Sequence, residues 1–396
     1  MSILIKRREF LRLSGFTTAS LMAPRFLNAF GQQGLPPKGK VVVVLQLDGG
    51  NDGLNTVIPI SNDLYHRARP KIALTAKDAL GLTDDVALHP SLVGLRELYQ
   101  QGQLAILNQV GYPEPNRSHF RSMDIWQTAS QSDEVLHTGW IGRVLDIKQS
   151  PSWALEMDEV LSLALKGKET KGLSAGNPSR LHRDSNGPLF KQLAASHAAQ
   201  HTHGMASYLY KTLAETVSHA DRIFKESKSH ATKAPYPNTL LGNDFKTVAS
   251  LILSDMDTQV YYLSLGSFDT HVNQNQRQSN LFTQLDDAVM AFVKDMKANN
   301  RFEDILLFTF SEFGRRVAQN ASGGTDHGTA NNLFFISGSL KQQGLLNPLP
   351  DLGNLQDGDL THEIDFKRVY ATILENWLDN DSKAILGSSY SKLGFI

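Results

Sequence analysis

The run Val41-Val42-Val43-Val44-Leu45-Gln46-Leu47, ending in Asp48-Gly49-Gly50-Asn51-Asp52-Gly53, constrains the fold more than any other stretch. A short, β-branched apolar run without alternation reads as a strand buried on both faces, the signature of a parallel sheet. The glycines that end it permit a tight turn in which backbone amides and side chains crowd one point. The same grammar recurs. His89-Pro90-Ser91 opens an amphipathic helix to Gln101. Leu104–Val110 is a strand running into Gly111-Tyr112-Pro113-Glu114-Pro115-Asn116-Arg117 and a helix from Ser118. Tyr261–Leu265 is a strand, followed by Gly266-Ser267-Phe268-Asp269-Thr270-His271. A helix spans 277–298, with Leu281, Leu285, Val289, Phe292 and Met296 on one stripe. Ile305–Phe310 and Leu333–Ile336 are further strands, and a helix closes the pattern at 366–378. This alternation predicts an α/β fold with a mostly parallel central sheet and helices on both faces. Residues about 150–240 break the rhythm. They are polar, contain a helical piece at 205–227, and read as a helical insertion into a single α/β domain over 31–396.

Composition narrows the chemistry. With no cysteine in 396 residues, disulfides, iron–sulfur clusters, thiol catalysis and the cysteine-derived formylglycine nucleophile are out. A net charge of -1 gives no support for nucleic-acid binding. That figure hides an asymmetry: residues 1–40 carry +6 and the remainder -7. The basic end, Lys6-Arg7-Arg8-Glu9-Phe10-Leu11-Arg12, precedes a mildly apolar run and resembles a twin-arginine export signal over 1–30. It implies use of the twin-arginine export machinery and a periplasmic or extracellular destination. No stretch approaches the roughly 18 apolar residues of a transmembrane segment.

In open parallel sheets, sites form beyond the carboxyl ends of the strands. Asp48, Asp269 with His271, and Glu312 each follow a predicted buried strand, and Asp326-His327 sits in a Gly-rich loop before one. Carboxylates and imidazoles brought to one edge suit a divalent cation: Zn, Mn, Mg or Ca. Each residue has a structural alternative. Asp48 can cap its own turn, Asp269 can cap a helix, and Glu312 can pair with Arg315 or Arg316. Ser118 is the candidate nucleophile, at a helix start where free amides favour an anion; as a serine it is equally suited to be an N-cap. Arg117 can clamp an anionic substrate, and His119 can serve as ligand or acid/base. His197, His201 and His203 read as a solvated helix face. No Walker lysine, dinucleotide fingerprint, Gly-x-Ser-x-Gly elbow or His-Glu-x-x-His is present.

The stretches Leu47–Asn55, His89-Pro90, Asn116-Arg117-Ser118-His119-Phe120, Gly139-Trp140-Ile141-Gly142-Arg143, Phe268–His271, Ser311-Glu312-Phe313-Gly314-Arg315 and Gly324-Thr325-Asp326-His327-Gly328 together resemble the domain-of-unknown-function 1501 family. That family is similar to the alkaline phosphatase and sulfatase superfamily, and its members commonly carry a twin-arginine leader. The resemblance implies that Asp48 is the first-strand metal aspartate, that Ser118 lies near the nucleophile position, and that Asp269 and His271 form an Asp/His metal pair. It also implies Glu312 as a second metal carboxylate and His327 as a late histidine ligand. The close spacing of Asp269 and His271, and Phe313 where the superfamily often has Asp-His after the carboxylate, depart from that pattern.

The expected function is an exported, metal-dependent hydrolase of alkaline-phosphatase-like fold acting on a small anionic ester, phosphate or sulfate. Its expected catalytic residues are Ser118, His119 and Arg117, and its expected metal ligands Asp48, Asp269, His271, Glu312, Asp326 and His327. The alternative is a non-catalytic secreted binding or assembly protein that keeps the fold.

Overall fold

Val41–Leu47 forms strand β1, and all seven of its residues are buried, as an apolar run without alternation requires. A computed structural model describes residues 39–188, 218–230, 232, 234–254 and 256–396. The N-terminal segment 1–30 and His197, His201 and His203 lie outside the described residues, as does much of the helix expected at 205–227.

The described residues fall into two compact units. One is drawn from Lys38–Leu136, Lys233–Ala249 and Gln259–Ile396 and carries the sheet built on β1. Its other main strands are β2 (Leu104–Gly111), β3 (Val260–Leu265), β4 (Ile305–Phe310) and β5 (Asn331–Ile336), in the order β2-β5-β4-β1-β3. β1 pairs parallel to β3, with Val43 opposite Tyr261, and parallel to β4, with Val43 opposite Leu307. β5 runs antiparallel to both β4 and β2. Two short segments, Gly344–Leu345 and Ile364–Asp365, add parallel pairs to β2. The sheet is thus mostly parallel with one reversed strand.

That reversal places the chemistry. The loops after β1, β2, β3 and β4 leave from one edge of the sheet. Because β5 points the other way, the loop before it, Gly323–Ala330, arrives at that same edge.

Helices cover the sheet where the apolar stripes predict. α1 (Gly53–Thr56) is capped by the Asp52 carboxylate. α2 (Val93–Gln100) has Leu92 at its cap position, which offers no side-chain acceptor. Asp286 supplies one from outside, taking the Gly94 and Leu95 amides at 2.8 and 2.9 Å. Asp286 lies on α4 (Gln274–Ala298), whose Leu281, Leu285, Val289, Phe292 and Met296 are all buried. α3 (His119–Thr128) follows β2, and α5 (Phe366–Thr372) runs on into a π-helical turn, Ile373–Trp377.

The second unit is drawn from His137–Thr232 and Ser250–Thr258. There a helix, Trp140–Lys148, carries Asp146, whose carboxylate accepts the amides of Lys168, Glu169 and Thr170 at 2.6–2.9 Å. A short parallel pair joins Ala154–Glu156 to Leu173–Ser174.

Candidate metal centre

The turn after β1 depends on its glycines. Gly49 and Gly50 have φ of +114° and +75°, and a Cβ on either would clash, with the Asp269 amide in one case and the Phe313 ring in the other. Freed of side chains, the turn closes against the loops after β3 and β4. The Phe268 amide donates to the Asp48 carbonyl (3.1 Å), and the Asn51 amide to Ser311 Oγ (2.9 Å). Residues Gly314–Arg316 pair with Asp326–Gly328, with Arg315 opposite His327 in an antiparallel bridge.

Arg315 is the hub of this edge. Its guanidinium is fully buried and donates to the carbonyls of Gly49, Gly50, Phe268 and Thr325, and to Asp269 Oδ1 at 2.7 Å. It thereby ties together the loop after β1, the loop after β3 and the loop before β5. Among the sequence expectations Arg315 is only an optional partner for Glu312; its partner is Asp269. Glu312, equally buried, instead accepts from His119 Nδ1 (2.8 Å) and the Gly49 amide (2.9 Å).

Three imidazoles surround Asp269 Oδ1. His271 Nε2 lies 3.0 Å from it, His327 Nε2 3.2 Å and His119 Nε2 3.7 Å. The Nε2 atoms of His271 and His327 are 3.1 Å apart. The other ring nitrogen of each is taken. His119 Nδ1 faces Glu312, His271 Nδ1 faces Asp326 Oδ1 at 3.0 Å, and His327 Nδ1 faces the Arg117 carbonyl at 2.8 Å. A carbonyl can only accept, so His327 Nδ1 carries the hydrogen and a neutral His327 presents a bare Nε2. The carboxylates opposite His119 and His271 impose the same tautomer. With all three rings neutral, their Nε2 lone pairs would face one carboxylate oxygen. His119, Asp269 and His327 each offer a ligand atom within 4.8 Å of the others.

Asp48 stands beside this group. It lines a cleft of about 360 Å³ with Gly49, His119, Phe120, Met123, Ser267 and Asp269. The protein around it and the nearby Glu312 charge raise its carboxyl above the ordinary aspartate range. The Glu312 hydrogen bond raises the His119 imidazole against the opposing effect of burial. Burial pushes the Asp269 carboxyl up, but Arg315, His327 and His271 outweigh it and leave it below the usual range. Asn320 and His271 lower Asp326 likewise.

Ser118 is exposed at the N-cap of α3, where its hydroxyl makes no capping bond; its amide donates to Asn116 Oδ1 at 2.8 Å. Arg117 lies differently from its expected role as a clamp. Its side chain turns to the buried Asp359, at the wall of a separate cavity of about 570 Å³, while its carbonyl holds His327. Phe313 lines that cavity and also packs on the rings of His119 (4.9 Å) and His327 (4.7 Å). Arg315, Phe313, Asp359 and Asn320 are absent from the sequence-derived site. The one signal for them is the adjacency of Phe313 and Arg315 to Glu312.

The family model for a protein of unknown function, DUF1501, matches residues 39–378. The chain belongs to this family. A search of curated proteins finds no match. Among solved structures, the DUF1501 chain is similar to a lipoteichoic acid synthase from Listeria monocytogenes, at 12% identity over 95% of this chain and 82% of that one, TM-score 0.39. It is similar to the PsFucS1 sulfatase from Pseudoalteromonas sp., at 12% identity over 95% and 72%, TM-score 0.38. It is also similar to an alkaline phosphatase superfamily protein from Vibrio parahaemolyticus, at 10% identity over 86% and 70%, TM-score 0.36. Among the described residues no helix is long and apolar enough to cross a membrane.

Proposed function

We propose that this DUF1501 protein is an exported, metal-dependent hydrolase of phosphate or sulfate esters. The observation that carries the metal reading is the convergence of three imidazole Nε2 atoms on Asp269 Oδ1. Protons on the rings would let them donate to Asp269 Oδ1; with the rings neutral, a bound cation would satisfy all four groups at once. Ligands of a tetrahedral ion with bonds of about 2.0–2.1 Å sit about 3.3 Å apart. The separations given above, 3.0–3.7 Å, bracket that value. His119, Asp269 and His327 would hold the ion, with His271 Nε2 beside them, and Glu312, Asp326 and the Arg117 carbonyl would fix the ring tautomers from behind. Three imidazoles favour zinc over magnesium or calcium.

A bound dication supplies Lewis-acid polarisation of an ester oxygen. The protein's own groups supply the rest. Ser118, one residue before His119 and with a hydroxyl that caps nothing, is the candidate nucleophile, and the first-turn amides of α3 favour the negative charge that attack would develop. Asp48, on the cleft wall, is a carboxyl that exchanges its proton closer to neutral pH than an ordinary aspartate. The cavity behind Phe313 offers room for the organic part of the ester.

The test is metal analysis of the purified protein with a panel of phosphate and sulfate esters, before and after chelation. Metal retention with chelator-sensitive hydrolysis supports the proposal; neither metal nor hydrolysis refutes it. Export is tested separately by replacing Arg7 and Arg8 with lysine and fractionating cells. Undiminished export would refute the twin-arginine reading.

A further inference from the structure

We infer that Ser267 is a substrate-binding residue, whose hydroxyl donates to an oxygen of the anionic group taken up in the cleft beside Asp48. This role rests on the ester-hydrolase reading above and adds to it a side chain that grips the anion.

The backbone singles this residue out. β3 pairs with β1 in parallel register as far as Leu265, opposite Leu47. The Asp48 amide continues the ladder by donating to the Leu265 carbonyl at 3.0 Å. In a regular parallel ladder the Ser267 amide would then donate to the Asp48 carbonyl. The Phe268 amide does so instead, at 3.1 Å, so the chain holds one extra residue here. Gly266 and Ser267 thus form a bulge with both ends tied to the Asp48 backbone. Within it Ser267 has a φ of +82°. Among the described residues, the eight other non-glycine residues with positive φ lie at 50–56°, inside the ordinary left-handed region. Gly266, which could take such a φ freely, is not at positive φ. A serine therefore stands where a glycine would fit with less strain. Such a conformation persists only where the surroundings fix it, and it clusters at ligand-binding positions.

The cleft shows what the side chain offers. Ser267 lines it together with Asp48, His119 and Asp269. An ionised carboxylate only accepts hydrogen bonds and repels an anion, so Asp48 and Asp269 do not hold one unaided. His119 is engaged on both sides, Nδ1 by Glu312 and Nε2 facing Asp269, and the Gly49 amide is spent on Glu312. The remaining walls, Phe120 and Met123, carry no polar hydrogen. Ser267 is exposed, and among the described residues its hydroxyl has no hydrogen-bond partner. It is the one hydroxyl on this wall, with a hydrogen free to turn to a phosphate or sulfate oxygen.

The experiment uses the full chain supplied with Zn²⁺ and two variants: Ser267→Ala, which keeps the β-carbon, and Ser267→Gly, which removes it with the hydroxyl. Calorimetry reads the affinity for inorganic phosphate and sulfate, an assay reads kcat/KM on 4-nitrophenyl phosphate and 4-nitrophenyl sulfate, and thermal unfolding reads the midpoint. Both variants are expected to lose roughly 10- to 100-fold in phosphate affinity and in kcat/KM, the worth of a hydrogen bond to a charged group. Ser267→Gly is expected to melt no lower than Ser267→Ala, so that an equal loss in the two follows the hydroxyl and not the backbone. Wild-type phosphate affinity in a folded Ser267→Gly protein would overturn the inference, as would a wild-type chain that binds neither phosphate nor sulfate. Lost turnover with phosphate affinity intact would also overturn it, by making Ser267 the attacking hydroxyl. A wild-type chain that binds phosphate but hydrolyses no ester would refute the hydrolase reading alone, and the drop in affinity in the variants would still support the Ser267 contact.

Discussion

Two aspartates a few residues past the ends of neighbouring strands each meet a wholly buried guanidinium, yet they belong to different kinds of structure. Asp52 takes Arg69 on both oxygens, at 2.5 and 3.0 Å, and its remaining partners are donors as well: the Leu54 amide at 3.2 Å and the Gln274 side-chain amide. Arg69 spends its other hydrogens on Asn55 Oδ1 and the carbonyls of Val317 and Arg316. Every charge in that pair is answered. The Asp269 side chain is 46% exposed, and the oxygen that meets Arg315 also faces three imidazole nitrogens whose opposite ring nitrogens are engaged elsewhere. Burial and ion pairing are common to both. What separates a structural pair from a centre is whether acceptors are left pointing at one another.

The comparison is broken most severely through stability. Arg69→Met would leave Asp52 buried and unpaired, and breaking such a pair costs about 3–5 kcal/mol. Asp269→Ala in metal-free protein removes a half-exposed carboxylate, while Arg315 keeps its four carbonyls, so the expected cost is smaller, about 1–3 kcal/mol. Denaturant unfolding of both variants without metal decides it. If Asp269→Ala proves the more destabilising, the two pairs have been assigned the wrong way round.

Function should separate them in the opposite sense. His327→Ala or Asp269→Ala is expected to abolish tight metal binding and lower ester hydrolysis by more than about 100-fold, since a lost Lewis acid is worth several kcal/mol in the transition state. Asp52→Asn is expected to be less stable yet to bind metal with wild-type stoichiometry. A folded Asp52→Asn protein without metal would erase the distinction.

Much of this was legible in the chain. Val41–Leu47, Ile305–Phe310 and Tyr261–Leu265 could be read because strands buried on both faces are unbroken apolar runs. Asp48, Asp269, His271, Glu312, Asp326 and His327 could be gathered because such strands end at a common edge. The partition among them could not. Spacing does not tell whether a carboxylate faces the Nε2 atoms of the cluster or the Nδ1 side of one ring, and that distinguishes Asp269 from Glu312 and Asp326. Nor does it reveal that β5 is reversed, the fact that delivers His327, or that the Arg117 side chain leaves for Asp359 while its carbonyl serves the centre. Arg315 was hidden for another reason: its partners are mostly backbone carbonyls, which carry no residue signature.

A finer sharpening concerns the carboxylates behind the rings. Asp326→Asn keeps an acceptor for His271 Nδ1 but removes its charge, so the ring stays oriented and becomes a weaker ligand. Losses of this kind run to about 10–100-fold in metal affinity, not abolition. Competition against a chelating dye measures it. No change would place Asp326 outside the centre; a loss as complete as that in His327→Ala would make it a direct ligand.

The smallest effect is one of pH, and it singles out His119. Its imidazole is raised chiefly by the Glu312 hydrogen bond, with burial opposing and Asp269 adding to the rise against Arg315. In metal-free protein this pairing contributes stability that is fully present below the unfolded histidine value of about 6.5 and is lost as pH climbs through the raised folded value. A cation on Nε2 must displace that proton, so Zn²⁺ affinity should rise across the same window in which metal-free stability falls. Glu312→Gln removes the main cause of the shift and should move the rise in affinity to lower pH, while weakening binding at high pH where the carboxylate no longer strengthens the ring. Titrations with Zn²⁺ between about pH 5.5 and 8.5 compare the two proteins. Superimposable profiles would mean that the His119 proton is not in competition with the ion, and that His271, His327 and Asp269 hold it without the third imidazole.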